Sequence, residues 1–210
     1  MKRIAIIGAG DLGQLIAYHA INDSGYEVVG YFDDTLESGV IVDNIKVLGN
    51  INDITTSFSN GMFDGLMIGI GYKHMGYRQR IFEKYINHIP FVNIIHSSCY
   101  IDSSCRIGKG VFMLPGTILD KGCMIGNNVL LNTGVVIAHD SIIHAHSFIA
   151  PAVKIAGFST IGSKSFVGIN ATILNNLTIC DEVTIGAGSL VNRSIIKPGI
   201  YIGIPAKLKI

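Results

Sequence analysis

Across residues 101–191 every sixth residue is aliphatic. The series Ile101, Ile107, Met113, Leu119, Ile125, Leu131, Ile137, Ile143, Ile149, Ile155, Ile161, Val167, Ile173, Ile179, Ile185 and Val191 has no gap. Four places after each stands a small or compact apolar residue, as at Cys105, Val111, Thr117, Cys123, Val129, Val135, Ser141, Ser147 and Val153. Glycine often follows the aliphatic position directly, at Gly108, Gly126, Gly162, Gly168 and Gly186. A period this short and strict predicts a parallel β-helix of hexapeptide repeats. Each step is one short strand and a tight turn, and three steps close a triangular coil. The aliphatic side chain points inward and stacks on its equivalent one coil away, at a strand spacing of about 4.8 Å. The small residue sits at the corner, and the glycine is expected to relieve the turn. A regular β-sandwich is the alternative; an uninterrupted series argues against it. About five coils follow.

The same register predicts neighbours. Eighteen residues make one coil, so Gly157 stacks beside His139, and Phe166 on Phe148. An imidazole next to a residue with no side chain leaves backbone open to a ligand. Histidine is suited to deprotonating an amine or alcohol near neutral pH, and Asp140 follows His139 directly. On a flat strand the two side chains would point to opposite faces, so Asp140 reaches His139 only if the turn bends there. His144 and His146 are expected at the surface or an interface. A zinc cluster from the three histidines lacks a placed carboxylate or thiol, so no metal is expected.

Ahead of the repeat, residues 3–10 read as a buried parallel strand ending in a glycine turn, 12–20 as a helix, and 26–32 as a second strand ending at Asp33-Asp34. Gly8-Ala9-Gly10-Asp11-Leu12-Gly13 satisfies the GxGxxG pattern, whose backbone N–H groups and helix N-terminus suit a phosphate. A nucleotide-linked ligand, NAD and a purely structural turn are all compatible with it. Only about ninety residues precede the repeat, and Asp11 carries negative charge close to where a pyrophosphate would sit; both favour a nucleotide-linked ligand over NAD. Residues 47–49 lead into a variable segment, and 65–70 form a third strand that Gly71 ends at the same edge as Gly10 and Asp33. Lys73, His74 and Arg78 are candidate phosphate contacts or the solvated start of a helix over 80–86. A fourth strand over 91–95 hands the chain to the repeat. The expected domains are a Rossmann-like α/β unit, 1–95, and a β-helix with a C-terminal cap, 96–210.

The composition is 49% hydrophobic and 15% charged, with a formal net charge of +1. Near neutrality without a basic run argues against nucleic acid. No apolar stretch approaches a membrane span, and the apolar run after Met-Lys-Arg, Ile4 to Ile7, reaches glycine too soon for a secretory leader, so a soluble, cytoplasmic protein is expected. Cys99, Cys105, Cys123 and Cys180 have no metal spacing and are expected as small buried hydrophobes.

The order Rossmann-like unit, hexapeptide repeat and closing Gly203-Ile204-Pro205-Ala206-Lys207 resembles the bacterial sugar acyltransferases of the PglD and NeuD type, over essentially the whole chain. The residues carrying the resemblance are the glycine turn with Asp33-Asp34, Ala138-His139-Asp140, Gly168-Ile169-Asn170 and Pro205-Ala206-Lys207. The resemblance implies a left-handed β-helix and acetyl-CoA as acyl donor. It implies a homotrimer with active sites between subunits. His139 would be the catalytic base with Asp140 as its acidic neighbour, and the Gly157 N–H would bind the thioester carbonyl. Ile169 and Ala187 would line the pantetheine arm, with Pro205 and Lys207 near the far end of CoA. Gly10, Asp11, Leu12, Asp33, Asp34 and Gly71 would form a nucleotide-sugar pocket. N-acetylation of a nucleotide-linked 4-amino-4,6-dideoxy sugar for surface polysaccharide is the expected reaction. A sialic-acid-type O-acetyltransferase and a non-catalytic nucleotide-sugar-binding trimer are the alternatives. Two departures stand out. Phe148 replaces a second histidine that many members place near acetyl-CoA, so that contact is lost or taken by His144 or His146. Asp11-Leu12 stands where the best-known members have Gly-His.

Overall fold

The computed structural model describes residues 1–209 and divides into two compact units, Met1–Ile94 and Ile95–Ile210. In the first, β1 (Arg3–Ile7), α1 (Asp11–Asn22) and β2 (Glu27–Phe32) follow one another. Then come β3 (Ile41–Val42), β4 (Ile45–Gly49), α2 (Ile54–Ser59), β5 (Gly65–Ile68) and α3 (Met75–Tyr85). The sheet order is β3-β4-β2-β1-β5. Its β4, β2, β1 and β5 are parallel, and β3 pairs antiparallel with β4. The central β1 is buried from Ile4 to Ile7 because helices cover a parallel sheet on both faces. Phe32, Phe63, Leu66, Ile81, Phe82 and Phe91 belong to the same core.

The glycine turn is a packing device. Gly8 has φ +98°, a Cβ on Gly13 would overlap the Gly8 carbonyl oxygen, and a Cβ on Gly69 would lie 2.5 Å from the Gly13 Cα. Those three glycines bring α1 against the sheet closer than any side chain allows.

Several expectations are corrected here. The hairpin β3–β4 lies ahead of the segment expected to be variable, where the sequence pattern announces no element; its turn is Asp43-Asn44, with φ +46° and +62°, the two-residue loop that matches strand twist. α2 is a further element that the sequence pattern does not announce. α3 begins at Met75 rather than residue 80, because Gly76, a poor helix former, breaks the apolar periodicity. The segment 91–95 is no continuous strand: Leu66 alone bridges to Phe91, and Ile94–Ile95 is a separate two-residue strand.

The second unit is a left-handed parallel β-helix. Two-residue strands pair in parallel eighteen positions apart along each face. On one face Leu119 pairs with Ile137, Ile137 with Ile155 and Ile155 with Ile173. That face holds six such strands, so five coils separate the first from the last. The aliphatic series forms one core cluster from Met113 to Val191, with Ile101 and Ile107 packed against it.

Two kinds of residue shape each corner. Three places after the aliphatic position, fourteen successive corner positions from Gly110 to Gly188 have left-handed backbone, including Asn128, Asp140, His146, Ala152 and Phe158. The glycines directly after the aliphatic position are not these residues. Their role is close approach: a Cβ on Gly126 would lie 2.6 Å from the Ala145 nitrogen, and on Gly168 2.6 Å from that of Ala187. The turn-relieving role expected of them therefore belongs to the position two places on.

The small corner residues tie coils together. Ser147 donates to the Gly162 carbonyl at 2.8 Å and Ser159 to that of Leu174 at 3.0 Å. Their hydroxyls also accept: Ser141 from the Ser159 N–H and Ser147 from the Ser165 N–H, each at 3.2 Å. Buried polar groups are thereby satisfied at the corner. The cysteines join this pattern as donors. Cys123 is buried, its thiol pushed up to about 11 by burial, and donates to the Ala138 carbonyl at 3.3 Å. Cys99, Cys105 and Cys180 are half-buried, not fully buried as expected. Among the described residues no helix is long and apolar enough to cross a membrane.

Two alanine substitutions separate the glycine roles. Gly126→Ala is expected to destabilise by about 2–3 kcal/mol, as overpacking against backbone does, whereas Gly134→Ala, at φ +68° with open space around the added carbon, loses about 1 kcal/mol to left-handed strain. Urea midpoints of the two variants test the order.

Candidate active site

His139 and Asp140 lie at one corner of the β-helix. Asp140 adopts φ +57°, which bends the chain so that its Oδ2 stands 3.1 Å from Nδ1 of the preceding imidazole. The bend required by the sequence is thus supplied by the left-handed corner. Both side chains are open to solvent, 47% and 42% exposed. A carboxylate can only accept, so Nδ1 is the donor, and in the neutral imidazole with that tautomer Nε2 has the lone pair. Gly157 stacks on this pair as the register requires. A Cβ there would lie 2.7 Å from Cε1 and 2.8 Å from Nε2 of His139.

The Gly157 N–H is not capped by the side chain before it, as some of its equivalents at other corners are. At Lys121 and Thr133 the same N–H is capped by the preceding Asp120 and Asn132 side chains, at 2.7 and 2.8 Å. Ala156 precedes Gly157 and has no acceptor in its side chain. The residue stacked on the imidazole thus keeps a backbone donor that a ligand can use.

Phe148 packs on Phe166 with ring centroids 5.8 Å apart, so the position is apolar. His146, expected at a surface or interface, is buried; its Nδ1 lies 3.0 Å from the Asn128 amide nitrogen. It sits at a left-handed corner, φ +66°, where the side chain folds back on the coil before. His144 is exposed. Among the described residues no group of three His, Cys, Asp or Glu is arranged to hold a metal ion.

Ile169 and Ala187 are exposed and lie one coil apart in a column, since Val167 pairs with Ile185. That column occupies a different corner from the one holding His139. Pro205 and Lys207 are exposed on the C-terminal hairpin, where Ile202 pairs antiparallel with Lys207.

In the N-terminal unit the carboxyl edge of the sheet opens a cleft of about 460 Å³ lined by Gly8, Gly10, Asp33, Asp34, Gly71 and Tyr77, among others. Of the pocket residues expected from the sequence, Gly10, Asp33, Asp34 and Gly71 come together here. Asp11 and Leu12 open α1 and do not line it. Asp33 accepts from the Ala9 N–H at 2.9 Å and from the Thr35 N–H and hydroxyl at 2.8 and 2.6 Å. Burial penalises its charge, but these bonds outweigh that and hold the carboxyl below its ordinary range. Asp34 accepts from the Ile51 N–H at 2.9 Å and the Tyr77 hydroxyl at 3.0 Å.

Gly10 and Gly71 have ordinary φ of −72° and −74°, and a Cβ on either would meet nothing within 4 Å. Nothing in the fold demands glycine at these two positions. Gly10 caps α1 with no side-chain acceptor, leaving first-turn N–H groups available to an anion. His74 also lines the cleft, while Arg78 does not. Arg78 is 2% exposed and donates to the Ile70 carbonyl at 2.6 Å, and burial lowers its pKa to about 10. It is a strut behind the cleft, not a phosphate contact. Tyr77, Thr35 and Ile51 were missed by sequence reasoning; Tyr77 alone had a signal, one turn of helix after the candidate at His74.

Residues 3–85 match the PglD N-terminal domain, and residues 158–193 match the bacterial transferase hexapeptide of six repeats. No curated protein matches the chain. Among solved structures, a mutant of perosamine N-acetyltransferase from Caulobacter crescentus, in complex with CoA and GDP-perosamine, is 28% identical. The match has a TM-score of 0.93 and covers 100% of this chain and 97% of that one. The acetyltransferase domain of PglB from Neisseria gonorrhoeae, in complex with acetyl coenzyme A, is 25% identical, with a TM-score of 0.90 and 99% of each chain covered. WeeI from Acinetobacter baumannii shares the fold at 22% identity and a TM-score of 0.82, with 100% of each chain covered. The chain thus joins a PglD-type N-terminal domain to bacterial transferase hexapeptide repeats, and over its whole length it is similar to sugar N-acetyltransferases of the PglD type.

Proposed function

We propose that this protein is an acetyl-CoA-dependent N-acetyltransferase acting on the 4-amino group of a nucleotide-linked 4-amino-4,6-dideoxy sugar. It works in the cytoplasm as a homotrimer, supplying surface polysaccharide or glycan synthesis. The observation that carries the chemistry is the His139–Asp140 pair with the uncapped Gly157 N–H beside it. The likeness to a GDP-perosamine complex supports the substrate class.

In this mechanism the amine nitrogen attacks the thioester carbonyl carbon of acetyl-CoA. Nε2 of His139 takes the proton that the nitrogen sheds, while Asp140 holds Nδ1–H and stabilises the imidazolium. The tetrahedral oxyanion accepts from the Gly157 N–H. Collapse breaks the C–S bond, and the CoA sulfur leaves with the proton returned by His139. The nucleotide half is held by the Gly10 and Gly71 cleft, with first-turn N–H groups of α1 toward phosphate. Asp33 and Asp34 serve this pocket chiefly as braces for its walls. Ile169 and Ala187 line the pantetheine arm, and Pro205 and Lys207 the far end of CoA.

The placing of the corners supports the trimer. The base and the pantetheine column occupy different corners of one β-helix, and a C3 ring that sets a corner of one copy against its neighbour supplies both to one site. The exposed apolar side chains of Tyr100, Ile118 and Met124 on the outer faces favour such packing.

His139→Asn is expected to lower kcat about tenfold to a hundredfold, the low end for a general base, because part of a sugar amine is already unprotonated near neutral pH. The KM for acetyl-CoA should stay within about twofold. Unchanged CoA release would remove His139 from the mechanism. Gly71→Val tests the pocket: it should leave the unfolding midpoint alone and raise the KM for the nucleotide sugar about tenfold or more by filling the cleft. An enzyme that acetylates a free sugar would be indifferent to it.

A further inference from the structure

Phe158 is an odd residue for its place. It occupies a left-handed corner, φ +57°. At this corner position the chain elsewhere uses glycine at 110, 116, 122, 134 and 188, asparagine at 128, 170 and 176, and Asp140, His146, Ala152, Lys164 and Glu182, so Phe158 is the one aromatic carbocycle among them. An aromatic side chain is strained in that region, where glycine is not. The strain is not repaid by burial, since Phe158 is 57% exposed. Its ring meets one other ring, that of His139, edge to face with centroids 5.0 Å apart and planes at 87°. Its N–H donates to the His139 carbonyl at 3.1 Å.

The register explains the contact. Phe158 follows Asp140 in the same corner column, one coil on, while Gly122 precedes it. A Cβ on Gly122 would lie 2.5 Å from Oδ1 of Asp140, so the carboxylate occupies the space that glycine leaves. Asp140 is thus flanked along its column by a bare glycine and an aromatic ring. His139 is held at Nδ1 by Asp140, at its outer edge by Gly157 and on a third side by Phe158.

We infer that Phe158 is a positioning residue for His139, locking the imidazole of a half-exposed base in the orientation that aims Nε2 at the acceptor amine. The inference rests on the proposed role of His139. A side chain open to solvent at 47% samples other rotamers unless something restrains it, and a base turned away from its proton contributes nothing. Phe158 therefore trades stability for orientation, which makes its signature opposite in sign to that of a structural residue.

The test compares Phe158→Gly, Phe158→Leu and Phe158→Tyr in the full-length protein. Phe158→Gly should unfold at the same or a higher denaturant concentration while kcat falls about tenfold, with both KM values within about twofold. Phe158→Tyr, which keeps the ring, should restore kcat to within about twofold, and Phe158→Leu should not. With selectively labelled histidine, the Cε1–H resonance of His139 should move on losing the ring current in Phe158→Gly and return in Phe158→Tyr. In a His139→Asn background, Phe158→Gly should lower kcat no further, because a residue acting through His139 has nothing left to position. Undiminished kcat in Phe158→Gly, a change confined to the sugar KM, or a loss of kcat matched by lost stability would each overturn the inference. Those outcomes leave His139→Asn impaired. Full activity of His139→Asn would instead overturn the proposed function itself.

Discussion

Everything in the β-helix depends on how closely one coil can lie on the next. At a strand spacing of about 4.8 Å, the corners bring backbone against backbone, and only residues that tolerate this can occupy them. Gly126 and Gly168 do so by having no Cβ. Ser141, Ser147 and Ser159 do so by bonding to carbonyl and N–H groups of neighbouring coils. The left-handed residue at each corner turns the chain onto the next face. Once these conditions repeat, register has no freedom left. Slipping a strand by one residue would send its inward aliphatic side chain to solvent.

The candidate base is a product of that constraint. His139 and Asp140 are neighbours in sequence, which on a strand would separate them, and the corner conformation of Asp140 brings them together. Gly157 and Gly122 are placed by the same eighteen-residue step, one beside the imidazole and the other beneath the carboxylate. A rigid repeat thus supplies a preorganised site without a loop of its own, and its half-exposed side chains need support only from the corners above and below.

Much of this was legible because the repeat turns position into geometry. The stacking of Gly157 on His139 and of Phe166 on Phe148 follows from counting, and both contacts are present. What counting misses is the reason for a residue. Glycine after each aliphatic position looks like a turn residue by frequency, yet the left-handed backbone is two places later, where Asn128, Lys164 or Glu182 also serve. His146 shows the same limit: a polar side chain at a corner is expected outside, but the left-handed turn folds it onto Asn128. In the N-terminal unit no repeat fixes register, and local patterns have to suffice. Asp43-Asn44 is a hairpin signal too short to stand out in a polar segment, and Arg78 looks like a surface cation because its carbonyl partners at Ile68 and Ile70 are brought to it only by the fold.

The glycines of the N-terminal turn separate folding from binding by the same measure. Gly8, Gly13 and Gly69 are demanded by φ or by contact, so replacing them strains the unit whatever it binds. Gly10 and Gly71 are demanded by neither, and both line the cleft. A residue that the fold leaves free, yet that stays small where a ligand would approach, points to the ligand. The same reasoning bears on Phe148. Packed on Phe166, it offers no donor at the place where many relatives carry a histidine, and His146 is engaged with Asn128. In the proposed mechanism polarisation of the thioester then falls to a backbone group, the Gly157 N–H, which the preceding Ala156 has no side-chain acceptor to cap. A backbone donor set by register survives side-chain replacement elsewhere on the coil, so in the proposed mechanism an apolar Phe148 costs the base and its neighbouring N–H nothing.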